Sequence, residues 1–185
     1  AENYFTISTI FSNLGKIEDA ESSLNKVIEI NPNHSNAYCN LGNLLKDLHK
    51  YNEAVKVIKK SISLNPNCAE AYCNLGAVLI GLDELDEAET VLIKSIDMKP
   101  ELFQAYANLG NIYSKQKKLE KALLYLEKAL KINNNIAYIY YQISQLHCLR
   151  EKFNDALIEI EKAINLEPEN YLFKGELNRI KFLIE

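Results

Sequence analysis

The chain has 185 residues, 48% of them apolar and 25% charged, with a formal net charge of −4 and a pI near 5.5. This balance fits one folded domain and argues against a nucleic-acid surface, which carries a basic stripe. No apolar run approaches the roughly 20 residues that cross a bilayer, and Ala1-Glu2-Asn3-Tyr4 begins no basic-then-apolar signal segment, so a cytoplasmic location is expected.

Taken in chain order, the elements are helices in pairs, and the pairs recur every 34 residues. The first unit, residues 1–34, carries Tyr4, Ser8, Ala20 and Asn31-Pro32. In the second, residues 35–68, Tyr38, Leu41, Gly42 and Leu45 share one face of a first helix. Asp47 to Asn52 reads as a turn, and Ala54, Val57, Ile58, Ser61 and Ile62 line a second helix. The third, residues 69–102, repeats the opening Ala-Tyr-Cys-Asn-Leu-Gly as residues 71–76, with Ala88 in the second helix. The fourth, residues 103–136, repeats it as Ala105-Tyr-Ala-Asn-Leu-Gly110 with Ala122, and the fifth, residues 137–170, has Tyr140, Ile143, Ser144 and Ala156. Residues 171–185 read as one more helix, with Phe173, Leu177, Ile180 and Ile184 as its apolar stripe and a polar remainder.

Second helices end before Asn31-Pro32, Asn65-Pro66, Lys99-Pro100 and Glu167-Pro168, because proline disfavours helical geometry in the residue before it. Asn133-Asn134-Asn135 supplies the stop in the fourth unit. Gly42, Gly76 and Gly110 fall inside helices, where glycine costs about 1 kcal/mol against alanine. Their recurrence predicts close helix contact. One hairpin cannot bury its own apolar face, so stacking is expected to build the core.

Catalytic and cofactor patterns are lacking, and neither enzyme activity nor a cofactor is expected. His34, His49 and His147 stand in unrelated places, without a second ligand at helical spacing, and read as surface or capping residues. Asp83, Glu84, Asp86, Glu87 and Glu89 surround a helix start, where carboxylates favour the helix dipole. Cys39, Cys68, Cys73 and Cys148 show no paired metal or redox spacing. Cys39 and Cys73 lie on neighbouring first helices, whose axes stand about 8–10 Å apart, too far for a disulfide. Net charge alternates in sign from unit to unit, a weak aid to register.

Tyr-x2-Leu-Gly followed by Ala and then Pro, at this period, resembles the tetratricopeptide repeat over residues 1–170. The resemblance implies an all-α, right-handed superhelical solenoid of five helix-turn-helix units and a C-terminal capping helix, forming a single domain over 1–185. Tyr4, Tyr38, Tyr72, Tyr106 and Tyr140 stand where the family often has Trp, and Ile143-Ser144 replaces Leu-Gly. The first unit has no cap, and with no initial Met this predicts that further repeats or a partner precede it.

The resemblance also implies that first helices line a concave groove where a protein or peptide ligand sits. Carried over by position, the groove presents Glu70, Gln104 and Tyr138 in one series and Cys39, Cys73 and Tyr141 in the next. Asn40, Asn74, Asn108 and Gln142 form a third series, and Asn43, Asn111 and Gln145 a fourth. An amide both donates and accepts, so a row of them can hold an extended backbone without reading its side chains. Such a ladder is similar to that in the repeat domain of O-linked N-acetylglucosamine transferases. The Lys and Arg pair that clamps chaperone tails in co-chaperone relatives is missing, so no such tail is expected to bind. The leading expectation is a protein-interaction scaffold that binds an extended polypeptide, with no nucleic acid or membrane partner. The alternatives are the substrate-recognition arm of a larger enzyme such as a glycosyltransferase, and self-association through the uncapped first hairpin or a Tyr138 and Tyr141 patch.

Overall fold

Apolar residues spaced three and four apart, interrupted at fixed intervals by turn signals, produce short helices of nearly constant length. The computed structural model describes residues 1–184, and these residues form eleven α-helices and no strand. They are α1 (Glu2–Asn13), α2 (Ile17–Ile30), α3 (Ser35–Asp47), α4 (Tyr51–Leu64), α5 (Ala69–Gly81) and α6 (Leu85–Met98). Then follow α7 (Phe103–Lys115), α8 (Leu119–Ile132), α9 (Ala137–Leu149), α10 (Phe153–Leu166) and α11 (Tyr171–Ile184). The chain divides into two compact units, Ala1–Pro100 and Glu101–Glu185.

In the first unit α1/α2, α3/α4 and α5/α6 are hairpins, with α2 packed on α3, α4 on α5, and α3 on α5. Leu24, Val27, Ala54, Ile58, Val78, Leu79, Ala88 and Leu92 are among its fully enclosed side chains. The recurrent glycines answer to those neighbours. A Cβ on Gly76 would lie 2.5 Å from Leu92 Cγ, and one on Gly42 would overlap Ile58. Two buried serines clip the hairpins: Ser61 donates to the carbonyl of Ser35 at 2.9 Å and Ser95 to that of Ala69 at 2.8 Å. On α1, Ile7 and Ile10 are exposed, whereas their equivalents Leu41 and Leu44 on α3 and Leu75 and Val78 on α5 are buried.

The second unit stacks α7/α8 and α9/α10, with α8 on α9 and α11 closing over α10. A Cβ on Gly110 would lie 2.7 Å from Leu126 Cγ, which repeats the close approach of the first unit. Phe173 and Ile180 of α11 join Ala137, Tyr141, Ala156, Ile160 and Ala163 in one buried cluster, with Leu177 packed against it. Ile184 departs from the expected stripe. It is exposed, because the last turn of α11 reaches the shallow cleft beside Phe153 and Asp155 instead of the cluster. Glu176, expected on the polar side, is buried, with its carboxylate held by Arg179 at 2.6 and 2.9 Å.

All five turns between paired helices are built alike. After each first helix one residue takes a left-handed conformation: Gly15 (φ 69°), His49 (φ 58°), Asp83 (φ 62°), Lys117 (φ 58°) and Glu151 (φ 58°). The next N–H then reaches back to the helix, as from Lys50 to the Leu45 carbonyl at 2.8 Å and from Lys152 to the His147 carbonyl at 2.9 Å. These bonds satisfy carbonyls that a helix end leaves open. Only the first turn uses glycine.

Candidate functional site

Side chains at the repeat positions singled out on each first helix form the candidate site, and the two units differ in what those side chains do. In the first unit most of the polar ones are engaged. Asn74 is half-buried and donates its Nδ2–H to Cys39 Sγ at 3.3 Å, which ties α5 to α3. Asn43 Oδ1 accepts from Lys46 at 3.0 Å. The Glu70 carboxylate meets Lys99 Nζ at 2.6 Å, and that bond holds its pKa below the usual carboxylate range. Asn40 is exposed. Cys39 and Cys73 are buried free thiols, and burial pushes Cys39 up to about 12, so it stays protonated and unreactive at neutral pH.

The second unit is more open. Between α7 and α9 lies a pocket of about 320 Å³, floored by Gly110, Leu126 and Leu146 and walled by Asn111, Ser114, Tyr138, Gln142, Gln145 and Leu149. Gly110 helps to shape the floor by letting Leu126 approach α7. Among the described residues, Asn111, Ser114 and Gln142 make no side-chain hydrogen bond, although all three are half-buried. Gln145 donates one Nε2–H to the Tyr141 hydroxyl at 2.7 Å, which fixes its amide and leaves its carbonyl oxygen as an acceptor. No charged side chain of the described residues lines this pocket.

Tyr141 does not present its ring to open space as its sequence position predicts. It is buried, 5.3 Å from the Phe173 ring and 5.7 Å from that of Tyr138. Burial, and then the Glu176 carboxylate, raise its phenol above the usual value of 10.0. Tyr138 is half-exposed over the stack, Gln104 is exposed, and Asn108 is half-buried. The histidines divide as well. His34 accepts the Ala37 N–H at 3.2 Å as a helix cap and His49 is exposed, but the Nδ1 of His147 is buried without a partner.

Tetratricopeptide-repeat models match residues 1–34, 35–68 and 67–135. The chain belongs to the tetratricopeptide-repeat family. No curated protein matches its sequence. Among solved tetratricopeptide-repeat structures, TTC0263 of Thermus thermophilus is similar, with a TM-score of 0.88 at 18% identity over 98% of each chain. MamA (residues 41 to end) of Desulfovibrio magneticus RS-1 has a TM-score of 0.69 at 25% identity, over 91% of this chain and 96% of that one. YrrB, described as a repeat protein with an unusual peptide-binding site, has a TM-score of 0.63 at 21% identity, over 94% of this chain and 89% of that one. At 18% and 21% identity, TTC0263 and YrrB show the fold alone. Tetratricopeptide-repeat proteins are generally interaction scaffolds, and membership of the family supports a protein-interaction role for the chain. No helix of the described residues is long and apolar enough to cross a membrane.

Position in the repeat pointed to Asn111, Tyr138, Gln142 and Gln145, and the structure brings these four to one pocket. Ser114 and Leu149 were missed. Their signal was weak, since hydroxyl and apolar residues are common on helix surfaces.

Proposed function

We propose that the chain binds an extended polypeptide along the groove-facing sides of its first helices, with side-chain amides pairing to the peptide backbone. One observation carries this reading: Asn111, Ser114 and Gln142 are half-buried around one pocket with their hydrogen-bonding groups unused by the protein. Amides that are half-buried and unpaired are held ready for a partner that both donates and accepts, as a peptide group does. Asn40, Asn74 and Asn108 hold the same repeat position as Gln142, and of these Asn74 also donates to Cys39. The peptide-binding site named for YrrB is consistent with this reading. Each bond contributes only about 1 kcal/mol net, so several must act together.

Fluorescence anisotropy with a pool of random, end-capped nonapeptides tests it. Asn40→Ala/Asn74→Ala and Asn108→Ala/Gln142→Ala variants are expected to bind the pool more weakly than the wild type. Equal binding by wild type and both variants rejects the amide pattern.

A second reading draws on α1, where Ile7 and Ile10 are exposed at positions that are buried on α3 and α5. We propose that this face mediates self-association. Sedimentation over a concentration series is expected to show a dimer or larger species that an Ile7→Lys/Ile10→Glu variant abolishes, and a wild type that stays monomeric throughout rejects it.

A further inference from the structure

We infer that the α7–α9 pocket is an anchor for one uncharged, apolar side chain of the bound polypeptide. This deepens the proposed function and rests on it.

Three observations favour that occupant. At about 320 Å³ the pocket sits at the small end of the range for ligand cavities, so it takes one side chain and an adjoining peptide group. Its floor is apolar, built from Gly110, Leu126 and Leu146, and Leu149 adds an apolar edge. A quarter of the chain's residues are charged, yet none of the described ones lines this pocket. A Lys or Asp side chain entering it would lose hydration with no countercharge, which is strongly unfavourable.

The rim explains why the occupant belongs to an extended chain. Asn111 and Ser114 stand on the α7 side, Gln142 and Gln145 on the α9 side. A side chain on the floor therefore brings the peptide groups before and after it to polar groups on both walls. The Tyr141 bond holds the Gln145 amide in place before any ligand arrives, which lowers the entropy lost on binding. Tyr138, half-exposed beside the opening, offers its ring to the same side chain.

The probe is a set of end-capped nonapeptides, random except at the central residue, which is fixed as Leu, Phe, Asp or Lys. Binding of each sub-pool to the full chain is measured for the wild type and for a Leu149→Asp variant. Leu149 is mostly exposed, so the variant is expected to fold, and Asn111→Lys provides an independent second change at the rim. The wild type is expected to bind the Leu and Phe sub-pools roughly tenfold or more tightly than the Asp and Lys sub-pools. Leu149→Asp should reduce that preference and favour Lys, while Asn111→Lys should favour Asp. Binding of all four wild-type sub-pools alike overturns the anchor and leaves the peptide-binding reading standing. Preference for a charged centre also overturns it. Failure to bind any sub-pool overturns both.

Discussion

Gln145 and Tyr141 lie one turn apart on α9, and the amide of the first donates to the hydroxyl of the second at 2.7 Å. The bond joins the pocket wall to the buried cluster beneath α11, because the Tyr141 ring packs on Phe173. Burial and the nearby Glu176 carboxylate raise the phenol above its ordinary value of 10.0, so folding favours the protonated form. Stability from this group is present below the unfolded value and is lost as pH rises through the folded one. Urea melts of the wild type should therefore lose stability above about pH 10 more steeply than melts of Tyr141→Phe. Parallel profiles for the two proteins would remove this role for the phenol.

A stabilising change is expected at Gln116, whose Oε1 is buried without a hydrogen-bond partner. The equivalent residues in the two preceding repeats are Leu48 and Leu82, so the backbone there already accommodates an apolar side chain. An orphaned buried acceptor costs about 1–3 kcal/mol. Gln116→Leu should raise the unfolding free energy by about 1 kcal/mol or more, as read by chemical denaturation.

The turn residues His49, Asp83, Lys117 and Glu151 hold a conformation that glycine adopts freely. Side chains there cost about 1–2 kcal/mol, against about 0.5–1 kcal/mol of extra chain entropy that glycine loses on folding. Lys117→Gly and Glu151→Gly should each raise stability by a few tenths to about 1 kcal/mol, and Gly15→Ala should lower it. Calorimetric melts distinguish the three.

Gly76 and Leu92 should be energetically coupled. A Cβ on Gly76 would meet Leu92 Cγ at 2.5 Å, and overpacking of this kind costs about 1–3 kcal/mol. Gly76→Ala alone should destabilise the chain, and adding Leu92→Val should recover part of the loss. A double-mutant cycle with zero interaction energy would contradict the contact.

Helix positions were the most legible part of the sequence, because period and proline both act locally. The repeat starts at 35, 69, 103 and 137 coincide with the first residues of α3, α5, α7 and α9, and α2 ends at Ile30 just before Asn31-Pro32. The left-handed turn was not legible, since four different side chains occupy one backbone state and the geometry comes from the returning N–H bonds. Burial of Glu176 was hidden for a related reason. A carboxylate on a terminal helix reads as solvated until its pairing with Arg179 is seen. At the site, repeat position indicated which helix edge matters. It could not separate Asn74, already bonded to Cys39, from Asn111 and Gln142, which are open, because that difference depends on the neighbouring helix.

The shared turn has a practical meaning for anyone labelling this chain. His49, Asp83, Lys117 and Glu151 are all exposed, each one helical hairpin further along, and the backbone at each is held by main-chain bonds that ignore residue type. A cysteine placed at any of these tips would therefore carry a dye or spin probe into solvent without entering a helix contact. Two such probes within one unit would act as a built-in ruler for whether its hairpins spread or tighten when a ligand arrives.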